Sequence, residues 1–203
     1  MSLLTPVAKA FSTDIANEVT SLGIQVHGGM GFIEETGAAQ LFRDARIAAI
    51  YEGTNGIQAI DLVTRKLPLS GGEAVAAHLK DLRAIVDSVS ASNDPAFGWT
   101  STRLNEALDS LSRATQWFQG QNGKDGDAAL AGASPYLRLF GITTGGCYLA
   151  QQALAAIRLG ETAQPRLALA RFFAENFAVQ AGGLERTVVE GAPGLLGADA
   201  ALA

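Results

Sequence analysis

The sequence holds a single cysteine, Cys147, in 203 residues. No internal disulfide framework can form, and a reducing, cytoplasmic setting is the expectation. A lone cysteine among apolar neighbours reads as a small core residue. Basic charge is also scarce: 15 Lys and Arg stand against 20 Asp and Glu, a formal net charge of −5. That balance carries no nucleic-acid footprint and no such partner is expected. No apolar run approaches the ~20 residues that cross a bilayer. The opening residues have neither the basic stretch nor the long apolar core of a secretory signal. Alternating β-branched runs are few. Asp125 and Asp127 lie in a glycine-rich stretch but lack the rest of a calcium loop, and no metal site is read elsewhere.

What is present is helix, in a chain that is 48% hydrophobic. Thr5-Pro6 is a plausible helix start. Val7, Phe11, Ile15, Val19, Leu22 and Val26 then recur at three- and four-residue spacing and make one apolar face. His27-Gly28-Gly29 stops that helix. A short helix around Leu41–Ala49 follows, then another from Ile57 to Leu67, ended by Pro68. Ser70-Gly71-Gly72 reads as a boundary, dividing the chain into residues 1–68 and 69–203. Beyond it lie plainer amphipathic segments. Val75, Leu79, Leu82, Val86 and Val89 form one stripe, and Leu104, Leu108, Leu111 and Phe118 a second. A polar loop is expected from Gly120 to Asp127. A third helix covers about 128–159, with Pro135 as a kink or true start and Gly145-Gly146 as a close-packing point. A fourth covers 164–181, and the tail from Gly191 is read as loose. The expected fold class is all-α, the second part an antiparallel four-helix, up-down bundle. Trp99, Trp117, Phe172, Phe173 and Phe177 read as core or interface, and His78 as a solvated helix-surface residue.

Two short motifs carry chemistry. Gln25-Val26-His27-Gly28-Gly29-Met30-Gly31 offers backbone N–H groups that could cradle a phosphate. It is neither a dinucleotide fingerprint nor a P-loop, and alone it is explained by a helix stop and a tight turn. Tyr51-Glu52-Gly53-Thr54-Asn55-Gly56-Ile57-Gln58 sets a carboxylate between an aromatic ring and a glycine, just before a helix. Thr54 or Asn55 could cap that helix. Apolar neighbours would desolvate Glu52 and suit it to general-base work. Alone, it reads as an ordinary surface glutamate near a helix start.

Together the motifs resemble the acyl-CoA dehydrogenase family. Gln25–Gly31 looks like its Q-x-x-G-G-x-G motif, Arg43-Asp44-Ala45-Arg46 like its R-D-[AS]-[KR] segment, and Ile50–Gln58 like its I-Y-E-G-T-[SN]-x-I-Q motif. Order and spacing agree over the first third of the chain. The resemblance implies that Glu52 is the base removing the α-proton of an acyl-CoA thioester, with hydride passing to FAD. It implies that Tyr51 and Gly53 meet the substrate. It assigns Gln25, Gly28, Gly29, Thr54 and Asn55 to the cofactor. Arg43 and Asp44 are expected to support local structure through an ion pair. Electron-transfer flavoprotein is the implied electron acceptor, an oxidase using oxygen being the alternative, and a homo-oligomer is expected.

More weakly, Pro135–Gly141 and Ala170–Glu175 resemble the helical extension of one long branch of the family. The family's flavin-covering β-domain and amino-terminal helical domain have no counterpart in this sequence. The chain is therefore expected to be a carboxy-terminal fragment, inactive and without tight FAD when isolated. Its competing role is a helical assembly module. Phe11, Ile15 and Val19 are expected to dock on the downstream bundle or on a second copy.

Overall fold

A computed structural model describes residues 2–121 and 126–198. Among them there is helix and no strand. Helix α1 (Thr5–His27) carries Pro6 in its first turn, where the missing N–H costs nothing. Short α2 (Gly29–Phe32) and α3 (Ala38–Ala48) turn the chain back along α1. Helix α4 (Asn55–Asp61) also packs on α1 and continues into a π-turn at Leu62–Lys66, where Leu67 N–H bonds to Leu62 O. At Ser70-Gly71-Gly72 the chain turns sharply, all three residues having positive φ.

Beyond it run α5 (Glu73–Ser92), α6 (Thr100–Gly120), α7 (Gly126–Arg158), α8 (Gln164–Asn176), α9 (Ala181–Glu190) and α10 (Ala192–Leu196). Both stripes read from the sequence face the core. Val75, Leu82, Val86, Leu104, Leu108 and Leu111 are almost fully buried. The long α7 is the axis of the molecule. It meets α5, α6, α8 and α9 on some sides and α1 and α4 on others. One continuous apolar core therefore runs from Leu3, Val7 and Leu62 into the bundle.

Several expectations are corrected. Pro135 lies inside α7 and does not begin it. The segment from Gln164 breaks after Asn176, so α8 and α9 are separate helices. The tail is helical over Ala192–Leu196. The expected polar loop falls largely on 122–125, outside the described residues; Asp127 sits in the first turn of α7. Of the glycine pair, Gly146 is the close contact: a Cβ there would stand 2.7 Å from Leu104. Trp99 is not core. It is 62% exposed, with the Arg103 guanidinium 6.0 Å from its ring. Phe172 and Phe177 are exposed too, although they touch each other. His78 is not simply solvated. It is half-buried, stacks on Phe140 at 5.4 Å, and lies 3.3 Å from the Thr144 hydroxyl. Its neighbours come from α7, 62 and 66 residues away, which no local pattern could reveal.

The α1 face splits in its fate. Phe11 packs on the core against Gly141 of α7, and Glu18 pairs with Arg138 of α7 at 2.6 Å. Ile15 is half-buried, but Val19, Leu22 and Val26 stay exposed. With Phe32, Leu41 and Ile47 of the neighbouring elements they leave much apolar surface in water. No described helix is long and apolar enough to cross a membrane.

Candidate active site

The first motif ends α1. Gly28 has φ 61° and ψ −143°, and its N–H bonds to Gln25 O at 3.1 Å. Only glycine takes that conformation without strain. Gly31 is required for another reason. A Cβ there would overlap the Ile24 backbone and come within 2.8 Å of His27 Cβ, so it lets α2 close on α1. Gly29 is different. It has no positive φ, and a Cβ would meet nothing within 4 Å. No contact among the described residues asks for glycine there, which leaves room for something outside the chain. Gln25 is exposed beside this opening. His27 is exposed as well, with Nδ1 2.9 Å from Gly23 O.

The second motif forms a tight loop between α3 and α4. Glu52 has φ 52° and Gly53 φ 82°. Left-handed backbone at a non-glycine residue costs on the order of 1–2 kcal/mol, so surrounding contacts must hold it. They do. Asn55 N–H bonds to Ala49 O at 3.2 Å. The Gln58 amide donates to Glu52 O at 3.2 Å and more weakly to Gly53 O. The Asn55 side chain is tied to α1. It donates to Asp14 Oδ1 at 2.6 Å and to the Thr13 hydroxyl at 2.9 Å. Its own Oδ1 accepts from Lys9 Nζ at 2.7 Å, and the same ammonium donates to Gly53 O at 3.0 Å.

This geometry revises the sequence reading. Neither Thr54 nor Asn55 caps α4 with its side chain. Thr54 is the cap residue by position, but its hydroxyl points back to Ala49 O at 3.4 Å. Asn55 is committed to α1 because four polar groups there meet it at once. Glu52 is exposed, not desolvated, since the apolar neighbours foreseen for it lie elsewhere. Tyr51 beside it is 53% exposed. Arg43 pairs not with Asp44 but with Glu34, in a two-pronged contact of 2.8 and 2.9 Å. The Glu34 carboxylate is held below its usual range by that guanidinium. Sequence reasoning missed Lys9 and Thr13. Their only trace was a polar strip, Lys9–Thr13–Asn17, along one side of an otherwise apolar helix.

The two motifs are not in contact. Asp14 meets the Glu52 loop, while Gln25 lies eleven residues further along α1, about 17 Å of helix rise. Anything touching both must be elongated.

A family model described as "Acyl-CoA dehydrogenase, C-terminal domain" matches residues 2–67, which contain both motifs. A second, "Acetyl-CoA dehydrogenase C-terminal like", matches residues 73–199, most of the chain. The chain belongs to the acyl-CoA dehydrogenase family. It is 40% identical over 87% of its length to 3-methylmercaptopropionyl-CoA dehydrogenase of Ruegeria pomeroyi. It is 30% identical over 84% of its length to butyryl-CoA dehydrogenase of Syntrophomonas wolfei. It covers 31% and 29% of those two proteins. A shorter stretch, 26% of this chain and 14% of the other, is 40% identical to caffeyl-CoA reductase-Etf complex subunit CarC of Acetobacterium woodii. The chain thus spans about a third of the length of the first relatives it matches.

Members of this family use FAD, and the residues present fit it in part. The Gly28 N–H is already taken by Gln25 O, but the exposed backbone at Gly29, where a Cβ would meet nothing, and exposed Gln25 suit an anionic diphosphate. Thr54 is exposed, its hydroxyl held only by the long contact to Ala49 O. The Asn55 side chain does not fit as a cofactor ligand, because α1 already occupies both its oxygen and its nitrogen.

Proposed function

We propose that this chain is the base-bearing, carboxy-terminal part of a flavin-dependent acyl-CoA dehydrogenase, and that Glu52 is its base. The observation that carries the reading is the Tyr51–Gln58 loop. An exposed carboxylate sits on strained backbone, and its loop is tied to α1 by Lys9, Thr13 and Asp14 and to α4 by Gln58. A glutamate with no task would not need such restraint.

In the reaction, Glu52 takes the α-proton of the acyl thioester. FAD, when bound, would supply the acceptor for the β-hydride that formation of the Cα–Cβ double bond requires. The backbone N–H of Glu52 stabilises the enolate-like thioester oxygen, as a preorganised donor does. Tyr51 and Gly53 lie at the acyl group, and Gly53 lets the thioester approach. Gln25, Gly28 and Gly29 would hold the diphosphate side of FAD. Electrons leave through an electron-transfer flavoprotein, a partner supported by the likeness to an Etf-complex subunit.

An exposed carboxylate stays hydrated, and a hydrated carboxylate is a poor base toward a carbon acid. The 203-residue chain alone is therefore inactive. Residues 69–203 act as a scaffold, and the uncovered surface at Val26, Phe32 and Leu41 is closed by the rest of the protein or by a second subunit. The test is turnover by the full-length enzyme on acyl-CoA thioesters of graded length, with and without Glu52→Gln. Loss of turnover by at least a thousandfold, with thioester binding retained, is expected. Unchanged turnover refutes the assignment. For the isolated chain, a flavin absorbance band at one FAD per chain would overturn the claim of inactivity.

A further inference from the structure

Lys9 is the least explained charge near the loop. It sits half-buried in the second turn of α1. Its ammonium donates to two neutral acceptors, Gly53 O at 3.0 Å and Asn55 Oδ1 at 2.7 Å. A lysine ordinarily keeps its head in water. Here it reaches across 44 residues of sequence to a backbone carbonyl, the one directly after Glu52–Gly53.

We propose that Lys9 is a positioning residue for Glu52, which rests on the reading of Glu52 as the base. Glu52 and Gly53 are consecutive residues of positive φ, so the loop has no regular ladder to hold it. The Glu52 and Gly53 carbonyls are where it is gripped, and only the second is reached from α1. Lys9 grips it from α1 and the Gln58 amide from α4. Two donors on one oxygen fix the plane of the Gly53–Thr54 peptide. The Gln58 amide also holds the Glu52 carbonyl, so both peptide planes that flank Gly53 are fixed, and with them the direction in which Glu52 leaves the backbone. Asn55 anchors the loop but leaves Gly53 free to rotate, so the two contacts do different things. The Asp14 carboxylate lies across Asn55 from Lys9 and completes a chain of alternating donors and acceptors.

Removing the ammonium should spare the fold. Asn55 keeps its bonds to Asp14, Thr13 and Ala10 O, and Lys9 is not among the buried core residues. The loop alone should loosen.

The first test uses this chain and a glutamate-specific protease. Cleavage after Glu52 is compared with cleavage after exposed Glu34 and Glu35, which lie outside the clamp and report general opening. Lys9→Met should raise relative cleavage after Glu52 on the order of tenfold, the effect of one charge-assisted hydrogen bond. Lys9→Arg should restore most of it. Equal relative cleavage in all three proteins overturns the clamp. The second test uses the full-length enzyme. Lys9→Met should lower kcat about tenfold or more with KM changed less than about threefold, because orientation and not binding is lost. Glu52→Gln runs beside it. If that variant stays active, the assignment of the base fails and this inference with it. If Glu52→Gln is dead while Lys9→Met retains full kcat, the base stands and the positioning role of Lys9 is refuted.

Discussion

The contact between α1 and α7 can be probed at one atom. Gly141 lies inside α7, and a Cβ built there would overlap the root of the Phe11 ring and approach Phe11 Cβ at 2.9 Å. The clash is with the first atoms of the side chain, not its far end, so a rotamer change alone will not relieve it. Gly141→Ala should gain about 1 kcal/mol from helix propensity. Overpacking costs about 1–3 kcal/mol. The net effect is destabilisation by up to about 2 kcal/mol. Phe11→Ala alone should cost about 2 kcal/mol, roughly half the figure for a fully buried phenylalanine, because Phe11 is half-buried. In the Phe11→Ala background the ring is gone and only the Cβ of residue 11, at 2.9 Å, still presses on the new methyl, so Gly141→Ala should cost about 1 kcal/mol less there than in the native background. Urea unfolding followed by tryptophan fluorescence of the four proteins gives the coupling directly. Trp117, packed beside Phe118, is a suitable reporter. An effect of Gly141→Ala that is the same in both backgrounds, within about 0.5 kcal/mol, would refute the proposed docking of α1 on α7.

Further predictions concern the bundle. The Tyr136 hydroxyl is fully buried and meets Thr115 Oγ1 at 2.7 Å, while Thr115 donates to Leu111 O. Thr115 has one proton, so Tyr136 is the donor. Thr115→Val should therefore cost about 1–3 kcal/mol by stranding a buried O–H, and Tyr136→Phe less; equal costs in urea unfolding would contradict the assignment. Cys147 is fully buried, and burial pushes its thiol up to about 12. At pH 8 a disulfide reagent should label it at least a hundredfold more slowly than in the unfolded chain, and immediate stoichiometric labelling would show that α7 is not packed as described. Burial lowers the pKa of His78 below its ordinary 6.5, with Asp81 opposing. The unfolded state then binds more protons near pH 6, so stability is full above pH 6.5 and falls as pH drops through the folded pKa. His78→Phe should flatten the stability profile between pH 7.5 and 5. A profile unchanged by the substitution would mean that His78 titrates normally.

How much of this was legible in the sequence depended on distance along the chain. The stripes on α5 and α6 were readable because helical periodicity is local, and Val75, Leu82, Leu104 and Leu111 are buried as expected. The Glu52 loop was readable because its residue types are contiguous. What failed was long-range. Asn55 looked like a cap because caps precede helices, but Lys9, Thr13 and Asp14, more than forty residues earlier, compete for it and win. Arg43 looked like a partner for adjacent Asp44, yet neighbours in sequence on a helix point apart, and Glu34 nine residues away faces it. Trp99 looked like core or interface, and the core half fails: it precedes α6 at a turn where Glu175 holds its backbone N–H, leaving the ring outside.

The contacts order themselves into a path that gives the extension a reason. Glu52 is held through Gly53 and Asn55 by Lys9, Thr13 and Asp14. Those residues share two turns of α1 with Phe11, whose ring rests on Gly141 of α7. One turn further, Glu18 is tied to Arg138, also on α7. The same short stretch of α1 therefore faces the base loop on one side and the extension on the other. A helix gripped on only one side would transmit little restraint to the loop. With α7 behind it, α1 is a rigid bed, and a loop carrying strained backbone needs one. On this reasoning Gly141→Ala should act at a distance. By displacing Phe11 it should raise protease cleavage after Glu52, though less than Lys9→Met does. If Gly141→Ala destabilises the chain but leaves cleavage after Glu52 unchanged relative to Glu34 and Glu35, the extension stabilises the fold without supporting the site.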